Sequence, residues 1–252
     1  MNLFFREVGE GTPIVILHGL FGSSDNWLSI AKVLAEKHKV YSLDQRNHGQ
    51  SPPSDLWNYD VMVEDLREFL IQHQIDTPVI IGHSMGGKVA MQFAISYPEM
   101  LAKLIVVDIA PKYYPVHHDT ILEGLNSIDL NALQSRNEAD QQLSRYVPEI
   151  GTRQFLLKNL ARTPEGFQWK INLPVIEQNI EGIGVGLNAK EYFDKPTEFI
   201  RGANSNYIKD EDEFEIKSIF PNSILVTIAN AGHWVHAEQP EVFLEKLKAF
   251  ID

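Results

Sequence analysis

The sequence predicts an α/β fold: a mostly parallel central sheet with helices on both faces, interrupted by a helical insertion. Three observations carry this. The runs "PIVILHG" (13–19), "TPVIIGH" (77–83) and "LAKLIVVDIAP" (101–111) are apolar without alternation, as strands buried on both faces are. Segments of helical period separate them. From about Lys112 to Asp194 the alternation stops and helical segments follow with no convincing strand.

Each element has its own local reason. In "NWLSIAKVLAEKH" (26–38), Trp27, Ile30, Val33 and Leu34 fall at helical spacing. "KVYSLDQRNHG" (39–49) reads as a strand running into a polar turn. In "YDVMVEDLREFLIQHQI" (59–75), Val63, Leu66, Phe69 and Leu70 share one helical face. "GGKVAMQFAISYP" (86–98) is a further helix. Within the insertion, Ser135 with Glu138 three residues on is a capping-box signature, and "TRQFLLKNLAR" (152–162) reads as a short helix. Alternation returns with the strand "KPTEFIRG" (195–202), a helix around "DEFEIKSIF", the strand "SILVTIANAG" (223–232) and the helix "PEVFLEKLKAFI". The expected organisation is a core of residues 1–111 and 191–252 with a helical cap of residues 112–190.

Composition narrows the function classes. The 252 residues are 44% hydrophobic and 22% charged, ordinary for a globular chain with a sizeable core. With no cysteine, a disulfide framework, a thiol nucleophile and a thiolate metal site are excluded. A formal net charge of -12 argues against non-specific binding to nucleic acid or anionic membranes. The opening "MNLFFREVGEGTP" lacks a signal-peptide apolar core and no stretch is long enough to span a bilayer, so a soluble, cytoplasmic protein is expected.

Chemistry concentrates at "GHSMG". Gly82-His83-Ser84-Met85-Gly86 matches G-x-S-x-G between a strand and a helix, the context in which a sharp turn lifts a serine hydroxyl above the sheet. Glycines suit positions where a side chain would crowd neighbouring backbone. The helix beginning after Ser84 turns its free N–H groups and positive end toward the same point. A serine nucleophile needs a base, and the base an orienting acid. His233 directly follows Gly232 in the loop after the last strand, where an imidazole can swing over the sheet edge; His236, nearer the next helix, is a structural or pocket-lining candidate. His18 is expected to fix the first loop, and His83 lies within the elbow, poorly placed to be its base but beside the pocket.

The acid has two candidates. The loop after "PTEFIRG" reads "RGANSNYIKDED", with Asn204, Ser205 and Asn206 where a carboxylate is expected and Asp210 only later, at a helix cap. Asp108 ends the apolar strand "KLIVVD", where a carboxylate is costly without a donor such as an imidazole N–H. Asp108 is therefore preferred and Asp210 is the alternative. The oxyanion hole should join the N–H of Met85 to one from "HGLFGSSDNW", from Leu20 or else Phe21, whose ring is expected in the acyl pocket with Trp234 nearby. In "LDQRNHGQS", Asp44 and Arg46 are expected to pair across the turn.

Taken together, "HGLFGSSDNW", "DQRNHGQSP", "IGHSMGGKVAM", "VVDIAP" and "NAGHWVHAEQP" resemble the YbfF-like bacterial esterases of the α/β-hydrolase superfamily. The resemblance implies the α/β-hydrolase fold, a triad acid after the earlier strand, and hydrolysis of short- to medium-chain acyl esters, with acyl-CoA thioesters a second class. It implies no cofactor and no metal. The expected partner is a small-molecule ester. A C–C bond hydrolase or cofactor-free haloperoxidase would use the same three residues, and a ligand receptor could keep the fold without the chemistry.

Overall fold

A computed structural model describes residues 1–187 and 191–252; the expected cap boundary at residue 190 lies outside the described residues. In chain order the elements are β1 (Phe5–Val8), β2 (Thr12–Leu17), α1 (Leu28–Leu34), β3 (His38–Leu43), α2 (Tyr59–Gln72), β4 (Val79–His83), α3 (Met85–Ser96) and β5 (Lys103–Val107). Then come α4 (Asp119–Asn126), α5 (Arg136–Leu143), α6 (Ile150–Leu157), β6 (Leu160–Thr163), β7 (Gly166–Trp169) and α7 (Leu173–Gln178). The chain ends with β8 (Thr197–Gly202), α8 (Glu213–Ile219), β9 (Ser223–Ile228), α9 (Val235–Glu238) and α10 (Pro240–Ile251).

Seven strands form one sheet in the order β1-β3-β2-β4-β5-β8-β9. All neighbours are parallel except β1, which pairs antiparallel with β3 at the edge. β1 departs from the sequence expectation: "FREV" is half polar, with Phe5 and Arg6 half-buried and Glu7 and Val8 exposed, so it carries no apolar run. The central strands explain their continuous hydrophobicity. In β4, Ile80 packs with α2 and α3 on one face while Val79 and Ile81 pack with α1 and α10 on the other. β5 divides the same way, with Leu104 and Val106 on the first face and Ile105 and Val107 on the second. The helices supply the matching stripes: Val63, Leu66, Phe69 and Leu70 of α2 on one side, Ile30 and Leu34 of α1 with Phe243 and Leu247 of α10 on the other. Apolar burial on this scale is the dominant favourable contribution to such a fold.

Two expectations are corrected in the segment between β5 and β8. It is not wholly helical, because β6 and β7 form an antiparallel hairpin, Leu160 opposite Trp169. The residues expected to continue a helix to 162 turn away after Leu157, and "LART" joins the hairpin instead. Four residues per strand with one half-buried face give too short a period to detect. Ser135 does cap α5, its Oγ accepting the Glu138 N–H at 3.1 Å, while Glu138 reaches back to the N–H of Gln134 at 2.9 Å.

This segment is held to the sheet layer by a buried lysine. Lys88 on α3 sends its ammonium to the carbonyls of Lys112 at 2.5 Å, Val185 at 2.9 Å and Pro111 at 3.3 Å. Burial lowers its pKa to about 7.

The turn after β3 departs from expectation. Asp44 and Arg46 do not pair. Asp44 accepts the Ser24 N–H at 2.6 Å and the Gln50 N–H at 2.8 Å, tying two loops together. Arg46 instead makes a bidentate contact with Asp65 of α2, at 2.6 and 2.8 Å, and both side chains are buried. Neighbours in sequence point apart here because each needs a different buried partner. Among the described residues no helix is long and apolar enough to cross a membrane.

Removing one member of a buried pair leaves the other charge uncompensated. Asp65→Leu, which leaves the Arg46 guanidinium without its carboxylate, should cost about 3–5 kcal/mol of folding stability, measured by urea unfolding, and Asp65→Leu with Arg46→Met should recover much of that loss.

Candidate active site

The parallel strands bring their C-terminal ends to one edge. Leu17 of β2 is level with Gly82 of β4, His83 with Val107 of β5, and Val107 with Ile200 of β8. The chain reverses direction of growth between β2 and β4, and such switch points are where open α/β sheets bind ligands. Ser84, Asp108 and the loop after β2 therefore emerge side by side.

Ser84 is a left-handed residue, φ 52° and ψ −117°, directly before α3. Such backbone in a non-glycine residue costs on the order of 1–3 kcal/mol and persists only when its surroundings enforce it. They do. A Cβ on Gly82 would lie 2.3 Å from the Gly86 carbonyl oxygen, and one on Gly86 would lie 2.4 Å from that of Leu17. Both glycines are dictated by the close approach of α3 to β4 and β2. Ser84 Oγ has no hydrogen-bond partner among the described residues.

Asp108 ends β5, also at positive φ (53°), and is fully buried. Its carboxylate accepts three donors: the Gly202 N–H at 3.2 Å, Ser205 Oγ at 2.5 Å and His233 Nδ1 at 2.7 Å. A buried carboxylate requires such compensation. With Nδ1–H given to Asp108, the other ring nitrogen of His233, Nε2, has no protein partner among the described residues. Tyr207 stacks on the imidazole, centroids 4.1 Å apart and planes 21° off parallel. His83 donates its Nε2–H to the His233 carbonyl at 2.9 Å.

The second loop is set by two neutral histidines. Burial lowers the His18 pKa to about 4 and that of His48 to about 3. Each uses one nitrogen as donor and the other as acceptor: His18 Nδ1–H to the Gly19 carbonyl with Nε2 accepting from Gln45 N–H, His48 Nδ1–H to the Arg46 carbonyl with Nε2 accepting from Phe21 N–H. That last bond, 3.2 Å, occupies the Phe21 amide. The Leu20 N–H is left without a partner among the described residues, and Met85, first residue of α3, has no intrahelical acceptor.

Two cavities meet at Ser84, sharing Leu20, His118, Ile121 and Tyr207 in their walls. One, about 240 Å³, is lined by Phe21, His83, Thr152, Phe155, His233 and Trp234. The other, about 400 Å³, is lined by Met85, Tyr59, Ile109, Val116 and Ile183 among others.

The structure thus gathers Ser84, Asp108, His233, Leu20, Met85, Phe21, His83 and Trp234 in one place. His236, expected as structural or pocket-lining, lines neither cavity. It is buried behind them, stacked on Trp27 at 4.2 Å and 10°, and burial lowers its pKa to about 3. Asp210 is 92% exposed and pairs with Arg201 at 2.5 Å; its side chain caps no helix, Asp212 taking the Lys209 N–H instead. Sequence reasoning missed Ser205 and Tyr207. The loop "RGANSNY" was read for a carboxylate it lacks, while its hydroxyl is what meets the carboxylate of the adjacent strand.

A family profile of the alpha/beta hydrolase fold matches residues 12–240. An sn-1-specific diacylglycerol lipase, ABHD11 of Danio rerio, is 40% identical over 98% of this chain and 80% of its own length. Esterase YbfF of Escherichia coli is 38% identical, covering 96% of this chain and 94% of the relative. The solved structure of a marine microorganism esterase superposes with a TM-score of 0.96 at 47% identity, covering 98% of both chains. The chain belongs to the α/β-hydrolase fold family, among its carboxylic ester hydrolases.

The elbow's tightness can be measured. Gly86→Ala should lower stability by about 1–3 kcal/mol, since its methyl meets strand backbone. Gly151→Ala, in α6 with nothing within 4 Å, should gain about 0.5–1 kcal/mol instead. Thermal unfolding of the two variants compares them directly.

Proposed function

We propose that the protein cleaves short- to medium-chain carboxylic esters through a Ser84–His233–Asp108 triad and a covalent acyl-enzyme. The observation that carries this reading is the 2.7 Å contact of His233 Nδ1 with the fully buried Asp108, made beside a serine in left-handed backbone at the start of a helix. An incidental serine in a βα turn has no reason to sit beside an imidazole whose far side is already fixed by a buried charge.

In this reading His233 Nε2 takes the Ser84 proton as Oγ attacks the ester carbonyl. The oxyanion that forms is met by the N–H groups of Leu20 and Met85. Asp108 holds the tautomer and stabilises the imidazolium, Tyr207 stacks on the ring, and the His83 bond anchors the His233 main chain. The imidazolium then protonates the leaving alcohol. Water, activated by the same nitrogen, releases the acid and restores Ser84. Residues 112–190 act as a cap over this edge, and residues 1–111 and 191–252 as the catalytic core. Acyl-CoA thioesters are a second substrate class for the same steps, since a thiolate leaves from the same intermediate.

A panel of p-nitrophenyl esters and acyl-CoAs tests the activity. Ser84→Ala should lower kcat by about 10⁴-fold or more with the fold intact by circular dichroism. Near-normal turnover by that variant rules the triad out, and a protein that only retains ligands without turning them over would be a receptor.

The two acid candidates separate cleanly. Asp108→Asn should lower kcat by about 10³- to 10⁴-fold, because an amide there favours the wrong imidazole tautomer. Asp210→Asn should change little, because it alters only an exposed ion pair. Steady-state rates of both on one ester decide between them.

A further inference from the structure

We infer that the two cavities divide the ester unequally: the acyl chain enters the larger cavity beside Met85 and the alcohol the smaller cavity beside His233, so that the preferred substrates are esters whose acid part is the bulkier. This rests on the triad proposed above, and it follows from where the proton must go. The tetrahedral intermediate collapses by breaking the bond between the carbonyl carbon and the alcohol oxygen. The bond from Ser84 Oγ to that carbon stays, and the alcohol oxygen leaves with the proton carried by His233 Nε2. That oxygen must therefore lie within hydrogen-bond reach of the imidazole, about 2.6–3.2 Å.

His233 and its neighbour Trp234 line the smaller cavity and not the larger. The alcohol substituent thus emerges among Thr152, Phe155 and Leu156. The acyl substituent sits on the opposite side of the reacting carbon. The space there is the larger cavity, whose apolar walls include Val116, Ile109 and Ile183 and which does not touch His233. The volumes, about 400 against 240 Å³, give the acyl side more room. Phe21, expected in the acyl pocket, faces the alcohol side, because it lines only the smaller cavity. Ile183 and Thr152 become the specificity-determining residues of the two sides. Neither is needed for the chemical steps.

Reversed esters provide the test, because they exchange the two ends at matched length of the varied chain. The methyl esters of acids from acetate to decanoate lengthen only the acyl chain; the acetates of alcohols from methyl to decyl lengthen only the alcohol. With acid release followed at constant pH, kcat/KM for the wild-type protein should peak at a longer chain in the first series than in the second. Ile183→Trp should lower kcat/KM for methyl octanoate by about tenfold or more and that for octyl acetate by less than about threefold. Thr152→Trp should do the reverse. Should either tryptophan variant fail to fold, Ile183→Ala and Phe155→Ala, which remove bulk, should lengthen the tolerated chain in the acyl and the alcohol series respectively. Exchanged responses, or variants that alter both series equally, overturn the assignment while leaving the triad standing. A wild-type protein that hydrolyses neither series overturns the triad reading itself.

Discussion

A carboxylate placed where water cannot reach it organises one whole edge of this molecule. Asp108 is fully buried with no lysine or arginine against it among the described residues, so its carboxylate is met by donors from elsewhere. They come from three sources: the Gly202 amide at the end of β8, the Ser205 hydroxyl in the loop that follows, and His233 after β9. Each is brought within reach because β8 pairs with β5 and β9 with β8, in parallel and with matched ends. The loops after three strands are thereby locked to one another, and the imidazole can face only one way.

Four other histidines serve the scaffold. His18, His48, His83 and His236 are all buried, and for each burial is the largest influence, lowering the pKa. A neutral imidazole is a compact side chain with one donor and one acceptor, which suits it to bridging loops whose amides and carbonyls would otherwise go unpaired. His18 and His48 do this for the loop after β2, and His83 for the loop holding His233. His233 differs in being partly open to the cavity, with its side chain 20% exposed.

The sheet was legible because strands buried on both faces cannot hide: "TPVIIGH" and "KLIVVD" have no polar alternation to confuse with a surface strand. Strand β1 and the β6–β7 hairpin were not, since four-residue, half-exposed strands depend on their partners for definition and carry almost no periodicity. Among the site residues, Ser84 was readable from glycines whose spacing reflects steric contacts only 2.3 and 2.4 Å away from a hypothetical side chain. Ser205 was not, because a serine among asparagines in a loop looks like any solvated turn. Its meaning exists only once β5 and β8 are neighbours. The Arg46 partner was missed for the same reason: proximity in sequence suggested Asp44, while proximity across the fold belongs to Asp65.

The attachment made by Lys88 is blind to sequence. All three groups it grips are main-chain carbonyls, of Pro111 and Lys112 at one end of the inserted segment and Val185 near the other. Any residue at those positions offers the same oxygen. The stretch between them can therefore change its side chains, and with them the walls of both cavities, without loosening its grip on α3. The same helix carries the Met85 amide at its first turn. An interchangeable roof is thus fastened to the helix that opens directly after Ser84, an arrangement that lets the cavity walls drift while the serine turn beneath them stays fixed.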